Sequence, residues 1–573
     1  MADIARFEPP AGRNFCSYLI LHLCTIVTLS ALLTPAAFPD NLSPAAKIKI
    51  NPDVIEKAAE VTLSPSTVPV HQRANFVDGK VLIKRIELKG DALFPEYGVT
   101  RDYINNKILR TYQGMEPLMS ISDMHYLADT LTNAYHEKGL TFNQVFVVPD
   151  EIKNDTLSLN ILAGKLSEIQ VKNNELFNSE RITSPFEHLL GQVVYEPAIS
   201  EAMKKANSIP GLKVFGFFSL GNNPGQTRLN LHVLQESDQS FSIRSDNFGV
   251  NSTGIYRLIG QYTQYNISGK GDTLSGTIVS TNEWGNLFGS LTYQAPHFDG
   301  GKLGATFYSN LFEVTGDFQD IGLNGHLEAL SVFGEHDLLR QNNALASLSG
   351  SVSYKHSVID SDKFGDIFAD ITNYLMLDSG INLFLVKPDG TQKQSLSVSA
   401  SLGQITSSDN ENSDDSFVSV HVYYGHQLRW IADSPQNWST GIDVDLYYTP
   451  DHLPASERQV MTGPYAVRSY EPALFSADSM FRLSLHQNMH LWNVYKQINT
   501  LPFFFLDFAE GKKMDGTDNT ASFLGVGIGV DFLFKSAFNA RLTLGFPVQE
   551  KLSQTLPDPA SDVMIYGYVN ITF

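Results

Sequence analysis

From about Gln239 to Phe573 the chain carries no helical periodicity; apolar residues recur at every second position in short stretches closed by Gly, Asn or Asp. Leu396, Val398, Ala400 and Leu402 stand between Ser395, Ser397, Ser399 and Ser401. Phe481, Leu483 and Leu485 alternate with Arg482, Ser484 and His486, and Leu542, Leu544, Phe546 and Val548 alternate with Arg541, Thr543 and Gly545. A period of two gives each strand one apolar and one wet face. A large soluble sandwich or a transmembrane barrel would satisfy that pattern. Three features favour the barrel. A secretory-type leader precedes the region. Short turns such as Asp299-Gly300 alternate with long polar ones such as 406–415. The last stretch, Ile565 to Phe573, puts Val569, Ile571 and the aromatic Phe573 on one face, as an outer-membrane assembly signal does. At roughly 21 residues per strand plus loop, residues 238–573 supply about sixteen strands. A ring of that size encloses a lumen too wide for side chains to fill. The expected fold class is mostly β: an approximately 16-stranded transmembrane barrel preceded by two small α+β modules.

Arg6 and Arg13 precede an apolar run from Phe15 to Leu33, followed by Thr34, Pro35, Ala36 and Ala37. This is the layout of a cleaved signal peptide over residues 1–38, with a retained anchor as the alternative. Both cysteines, Cys16 and Cys24, lie inside that run, which leaves no disulfide framework, cysteine metal site or thiol nucleophile afterwards. Beyond residue 40 no apolar run approaches the length of a membrane helix, so any crossing requires a closed barrel. The charge balance, 41 Lys+Arg against 61 Asp+Glu, lacks the cationic surplus that nucleic-acid binding needs. The 42% hydrophobic content excludes disorder along the whole length.

Between leader and barrel lies an internal repeat. Arg85–Phe94 reads RIELKGDALF and Glu168–Phe177 reads EIQVKNNELF, with Ile86/Ile169, Lys89/Lys172, Leu93/Leu176 and Phe94/Phe177 coinciding. Each copy is an alternating strand ending in a polar turn, and the repeat implies two modules of one kind. In the first, Ser120 and Asp123 have close to capping-box spacing ahead of Met124, Leu127, Leu131 and Tyr135 on one helical face, ended by Gly139. Strands over 145–148 and 157–162 follow. The second has a helix near 198–206, then strands over 214–220 and 228–234. The domain reading is therefore 1–38 signal, 39–79 helix or linker, 80–165 first module, 166–237 second module and 238–573 barrel.

Four places resemble the transporters of two-partner secretion, the haemolysin-activator type within the POTRA-plus-barrel superfamily. The repeat resembles two POTRA domains. Ile209-Pro210-Gly211 through Pro224-Gly225 and Leu229 resembles the second of them. Asp246-Asn247-Phe248-Gly249 with Gly254 resembles the entry into the barrel. Val467-Arg468-Ser469-Tyr470 resembles the family's VRGY loop motif, with Asp478 at a later acidic position, and Phe505-Leu506-Asp507-Phe508-Ala509 resembles its FxDxG strand motif. Ser469 and Ala509 replace glycines of those motifs. The resemblance implies that Arg468 pairs with Asp507, anchoring a long loop in the lumen; a planar guanidinium fork suits a wall carboxylate. It also implies capture of a secreted exoprotein by the POTRA domains, passage through the pore, and a plug role for the helix at Pro52–Val61. Insertion into outer-membrane lipid by the barrel-assembly machinery, a monomeric state and no enzymatic activity complete the expectation. The rival readings are an assembly factor of the same superfamily, a passive porin, and a secreted enzyme with a β-rich domain.

Other motifs are set aside. Gly525-Val526-Gly527-Ile528-Gly529 runs on into a strand, without the helix a phosphate cradle needs. The acidic run Asp409, Glu411, Asp414 and Asp415 lacks the spacing of a calcium loop. Histidines are scattered without HExxH, and there is no GxSxG. No cofactor and no metal is expected.

Overall fold

The computed structural model describes residues 80–573 apart from 114–117, 149–150, 153–154, 298–299, 316–318, 321, 342, 364–369, 409–414, 431–435, 496–497, 517–518, 536 and 554–562. The leader, the segment Pro52–Val61 expected to form a short helix, and most of the acidic run lie outside the described residues.

The two modules share one topology. In the first, strand Arg85–Gly90 pairs in parallel with Thr156–Leu162, whose other edge pairs antiparallel with Gln144–Val147. In the second, Lys165–Lys172 pairs in parallel with Gln226–Glu236, which pairs antiparallel with Leu212–Leu220. Helices cover one face of each sheet. Helix Ile121–His136 begins at a full capping box: the Ser120 hydroxyl accepts from the Asp123 N–H, and the Asp123 carboxylate accepts from the Ser120 N–H at 2.8 Å. Met124, Leu127, Leu131 and Tyr135 then fall on the buried side. Buried below the sheet, the Tyr135 hydroxyl donates to the Ala92 carbonyl at 2.7 Å, and desolvation pushes its pKa up to about 12. A helix over Arg101–Tyr112 was not expected. Ile104 is its one fully buried residue, with Tyr103, Ile108 and Tyr112 half-buried against the same core. The modules are joined through Gly139, at φ +81°, whose carbonyl accepts from the Glu196 N–H, and through stacked Tyr97 and Tyr195 rings 4.3 Å apart.

Residues 239–572 form a closed barrel of sixteen antiparallel strands, opening with Gln239–Asp246 and ending with Met564–Thr572, which pair with one another. The second module abuts the first turn after the opening hairpin: Asn266 Nδ2 donates to the Leu176 carbonyl, and Gly271 lies beside Arg181. Alternation then assigns the two surfaces. Leu348, Val352, Leu375, Leu377, Ile381, Val398 and Leu402 project outward and exposed, while Ser347, Ser353, Asn382, Ser397 and Ser401 point in and are buried. This apolar-out, polar-in pattern is that of a barrel bathed in lipid. No helix among the described residues is long and apolar enough to cross a membrane. The seam is short. Pairing of the first and last strands runs only from Asp246↔Tyr568 to Ser242↔Thr572, whereas strands Leu323–Arg340 and Ala344–Ser361 pair over nearly their whole length.

Candidate functional site: the loop inside the lumen

The lumen is not left open. Residues 449–478, between strands Gln436–Tyr448 and Ser479–Tyr495, fold back into it from the end remote from the modules. A short hairpin, Gln459–Val460 with Ser476–Ala477, holds the returning segment together. Asp478 accepts from the N–H groups of Leu453 and Met514 and from His452 Nδ1, and it pairs with Arg458, whose Nε donates to the Leu453 carbonyl, so its buried carboxylate gathers both ends of the loop.

The tip carries Val467-Arg468-Ser469-Tyr470, and the structure brings Arg468 onto Asp507. Nε and Nη2 each donate to one carboxylate oxygen at 2.8 Å, and the Arg468 backbone N–H adds a third bond to Oδ2 at 3.1 Å. Ser484 donates to Oδ1 at 2.7 Å and accepts from Arg468 Nη2. The guanidinium carbon lies 3.9 Å from the centre of the Phe505 ring, within cation–π range. The Asp507 side chain is fully buried and that of Arg468 nearly so. A carboxylate removed from water holds its charge only when its lone pairs are satisfied, and here each Asp507 oxygen accepts two bonds.

The residues flanking Arg468 fit because the wall gives way. Ser469 donates to the Val526 carbonyl at 3.0 Å, and its Cβ sits against Gly525, where an added Cβ would lie 2.4 Å away. Gly545 likewise faces the Arg468 carbonyl and the Ser469 Cα. Ser469 is not among the residues with positive φ, so a side chain is accommodated in the loop and the space comes from glycines in the wall. Gly527 and Gly529 play the same part for the rings of Phe505 and Phe503. Glycine-rich residues 525–529 are thus a groove in strand Thr520–Phe534. Ala509 is fully buried with Met461, Val467, Tyr470 and Phe523. The Tyr470 hydroxyl lies within bonding distance of the Leu524 and Gln549 carbonyls, and the Tyr470 carbonyl accepts from the Tyr566 hydroxyl.

Sequence reasoning missed the loop's other attachments. Asp246 accepts from Arg257 Nε and Nη2 at 2.7 and 3.0 Å and from Arg244 Nε at 2.9 Å, and both arginines reach the Tyr465 hydroxyl. Arg482 is held by Asp445 and donates to the Tyr465 carbonyl. These charges occupy lumen-facing positions of strands whose other face is apolar, a parity that marks them in the sequence. At the other proposed signal, Val569, Ile571 and Phe573 project outward, and Phe573 stacks on Phe241 and donates its N–H to the Phe241 carbonyl. Among the described residues no group of His, Cys, Asp and Glu is arranged to hold a metal.

Comparison with known proteins bears on this arrangement. Residues 225–532 match the family described as haemolysin secretion/activation protein ShlB/FhaC/HecB, and residues 81–164 match the ShlB-type POTRA domain. The heme/hemopexin transporter protein HuxB of Haemophilus influenzae is 23% identical over 78% of this chain and 80% of its own length. CdiB from Escherichia coli superposes with a TM-score of 0.67 at 17% identity, covering 91% of this chain and 95% of that one. BamA from Haemophilus ducreyi lacking POTRA domains 1-3 gives a TM-score of 0.52 at 13% identity over 86% of this chain and all of that one, which shows a shared fold. The chain belongs to the haemolysin secretion/activation family, outer-membrane β-barrel transporters of two-partner secretion that carry a partner exoprotein out of the periplasm, where their POTRA domains reside.

Proposed function

We propose that the loop 449–478 is the internal gate of this translocation pore and that Arg468–Asp507 is its anchor. The observation that carries this reading is the two-pronged contact at 2.8 Å on a fully buried carboxylate, made at the tip of a loop that spans the lumen. The division of the chain supports it: residues 1–38 as a cleaved signal, 39–79 as a linker whose helix plugs the resting pore, 80–165 and 166–237 as POTRA domains, and 238–573 as the barrel. The client is captured in extended form by β-augmentation, in which backbone hydrogen bonds bind with little demand on sequence. Strand Leu212–Leu220 has an unpaired edge and presents exposed Phe217 and Leu220. The barrel works as a monomer in outer-membrane lipid, is inserted by the barrel-assembly machinery through the strand ending Val569, Ile571 and Phe573, and performs no catalysis.

Arg468→Ala and Asp507→Ala test the anchor. Each is expected to change ion conductance in planar bilayers and to reduce secretion of the exoprotein produced alongside it, with the heat-modifiable gel mobility of a folded barrel retained. Parental conductance and secretion in both variants would refute the assignment.

A further inference from the structure

Before it reaches Arg468 the loop touches the opposite arc of the barrel. A single 3-10 turn, Ala455–Glu457, presses Glu457 against strands Ala344–Ser361 and Asp370–Val386. Lys355 Nζ donates to Glu457 Oε1 at 2.6 Å. The Tyr374 hydroxyl donates to the same oxygen at 2.5 Å and lies 2.7 Å from the Ser456 hydroxyl, and the Lys355 ammonium stands 5.6 Å from the Tyr374 ring centre. The side chains of Lys355 and Glu457 are only 6% and 7% exposed. Beneath them Leu453 packs on Tyr374 and Phe417. Counted from the opening strand, Lys355 is on the seventh strand of the ring and Asp507 on the thirteenth. The loop therefore bridges the lumen with a buried charge pair at each side.

The two sides are not equally held. At the Arg468 end the carboxylate receives two guanidinium bonds, a backbone N–H and a serine hydroxyl, and the neighbouring Ser469 and Tyr470 add bonds to three further strands. At the Glu457 end one carboxylate oxygen takes both bonds, from side chains alone. A strap fixed at both ends comes loose first at the end with fewer bonds and pivots on the other. From Ser353 toward the modules the wall carries small hydroxylated side chains, with Ser351 and Ser401 donating to Asp378, and so presents little bulk to a passing chain.

We propose that Glu457, Lys355 and Tyr374 form a second latch, the one that opens for the client, so that an extended polypeptide passes between the loop and this hydroxyl-lined wall while Arg468–Asp507 stays closed as the pivot. Glu457 is in this sense a positioning residue for transport. The inference rests on the loop being the gate.

The test uses the full-length protein in planar bilayers, with KCl conductance as the readout. Glu457→Gln and Lys355→Met each remove one charge and are expected to raise the occupancy of the open level about tenfold. The exchanged pair, Lys355→Glu with Glu457→Lys, is expected to return it to the parental value. The described residues contain no cysteine, so Glu457→Cys with Lys355→Cys can be bridged by a short bis-methanethiosulfonate. The bridge is expected to abolish openings and reductant to restore them. Heat-modifiable mobility checks folding of each variant, and the bridged protein decides the matter if a single variant fails to fold. Openings at parental frequency in the bridged protein, or single variants matching the parent, would overturn the latch. Parental conductance in Arg468→Ala as well would remove the gate reading itself, whereas an altered Arg468→Ala beside an unaltered Glu457→Gln removes the latch alone.

Discussion

The periplasmic modules and the barrel are built from the same alternating strands and turn them opposite ways. In the modules the apolar side of each sheet is sealed under helices, giving cores such as Leu127, Leu131, Leu157 and Leu159, all at or near zero exposure. In the barrel the apolar side faces outward, and what lies inside is held by ion pairs: Asp246 with Arg257, Lys355 with Glu457, Arg468 with Asp507. One half depends on excluding water from hydrocarbon, which is non-directional and proportional to area. The other depends on directional bonds to a few charged groups, which fail abruptly when one partner is removed.

That contrast can be broken at chosen points. The largest effect is expected from Arg257→Ala. It leaves the fully buried Asp246 with Arg244 as its remaining cation and should cost about 3–5 kcal/mol. The measurement is the temperature at which the barrel loses its heat-modifiable gel mobility, which should fall. Leu159→Ala in the first module should cost about 2–5 kcal/mol, seen as earlier proteolysis of the modules with the barrel transition unmoved; a linked shift of both would show that the two halves unfold as one. On the outer face, Val352→Arg puts a charge among lipid tails and should cost about 2–4 kcal/mol near the midplane. Ser399→Arg, on the inward face one strand pair away, should change stability by only about 0.5 kcal/mol. Equal costs at the two positions would contradict the assignment of faces. Apart from the Ser399→Arg control, the smallest effect is Asp123→Ala, about 1 kcal/mol from the lost capping box. Bonds from the Ser120 hydroxyl and N–H hold the Asp123 carboxyl below its ordinary range. Its contribution is therefore full above about pH 4 and fades as the pH falls through the lowered value, and thermal melts of parent and variant should converge there.

What was legible in the sequence followed from strong local patterns. Period-two alternation in residues 396–402 or 542–548 disclosed the barrel, and the 120–139 stretch disclosed its helix because cap, apolar face and terminating glycine agreed. Helix Arg101–Tyr112 was missed although Ile104, Ile108 and Tyr112 recur every fourth residue, because polar residues fill most of its length and only Ile104 is fully buried. Arg468 and Asp507 were legible only through resemblance, because nothing local relates positions 39 apart in the chain. Glu457, Tyr465 and Arg482 escaped for the same reason: their partners lie on strands far away in sequence. The glycines at 525–529 could be placed on a strand but not explained, as their purpose is the space they leave for Ser469, Phe505 and Phe503.

The brief pairing between the first and last strands is where the cylinder is thinnest in hydrogen bonds. Asn247 mends part of it, its side chain donating to the Ile565 carbonyl and accepting from the Gly567 N–H across a separation of 320 positions. Such a join is among the most non-local contacts that the described residues make, and long-range pairing of this kind forms late. Until it forms, the growing sheet carries two raw edges, each able to zip onto a foreign strand. The birth of this pore is thus also its most exposed moment, and whatever shelters those edges during assembly governs how many finished channels a cell obtains.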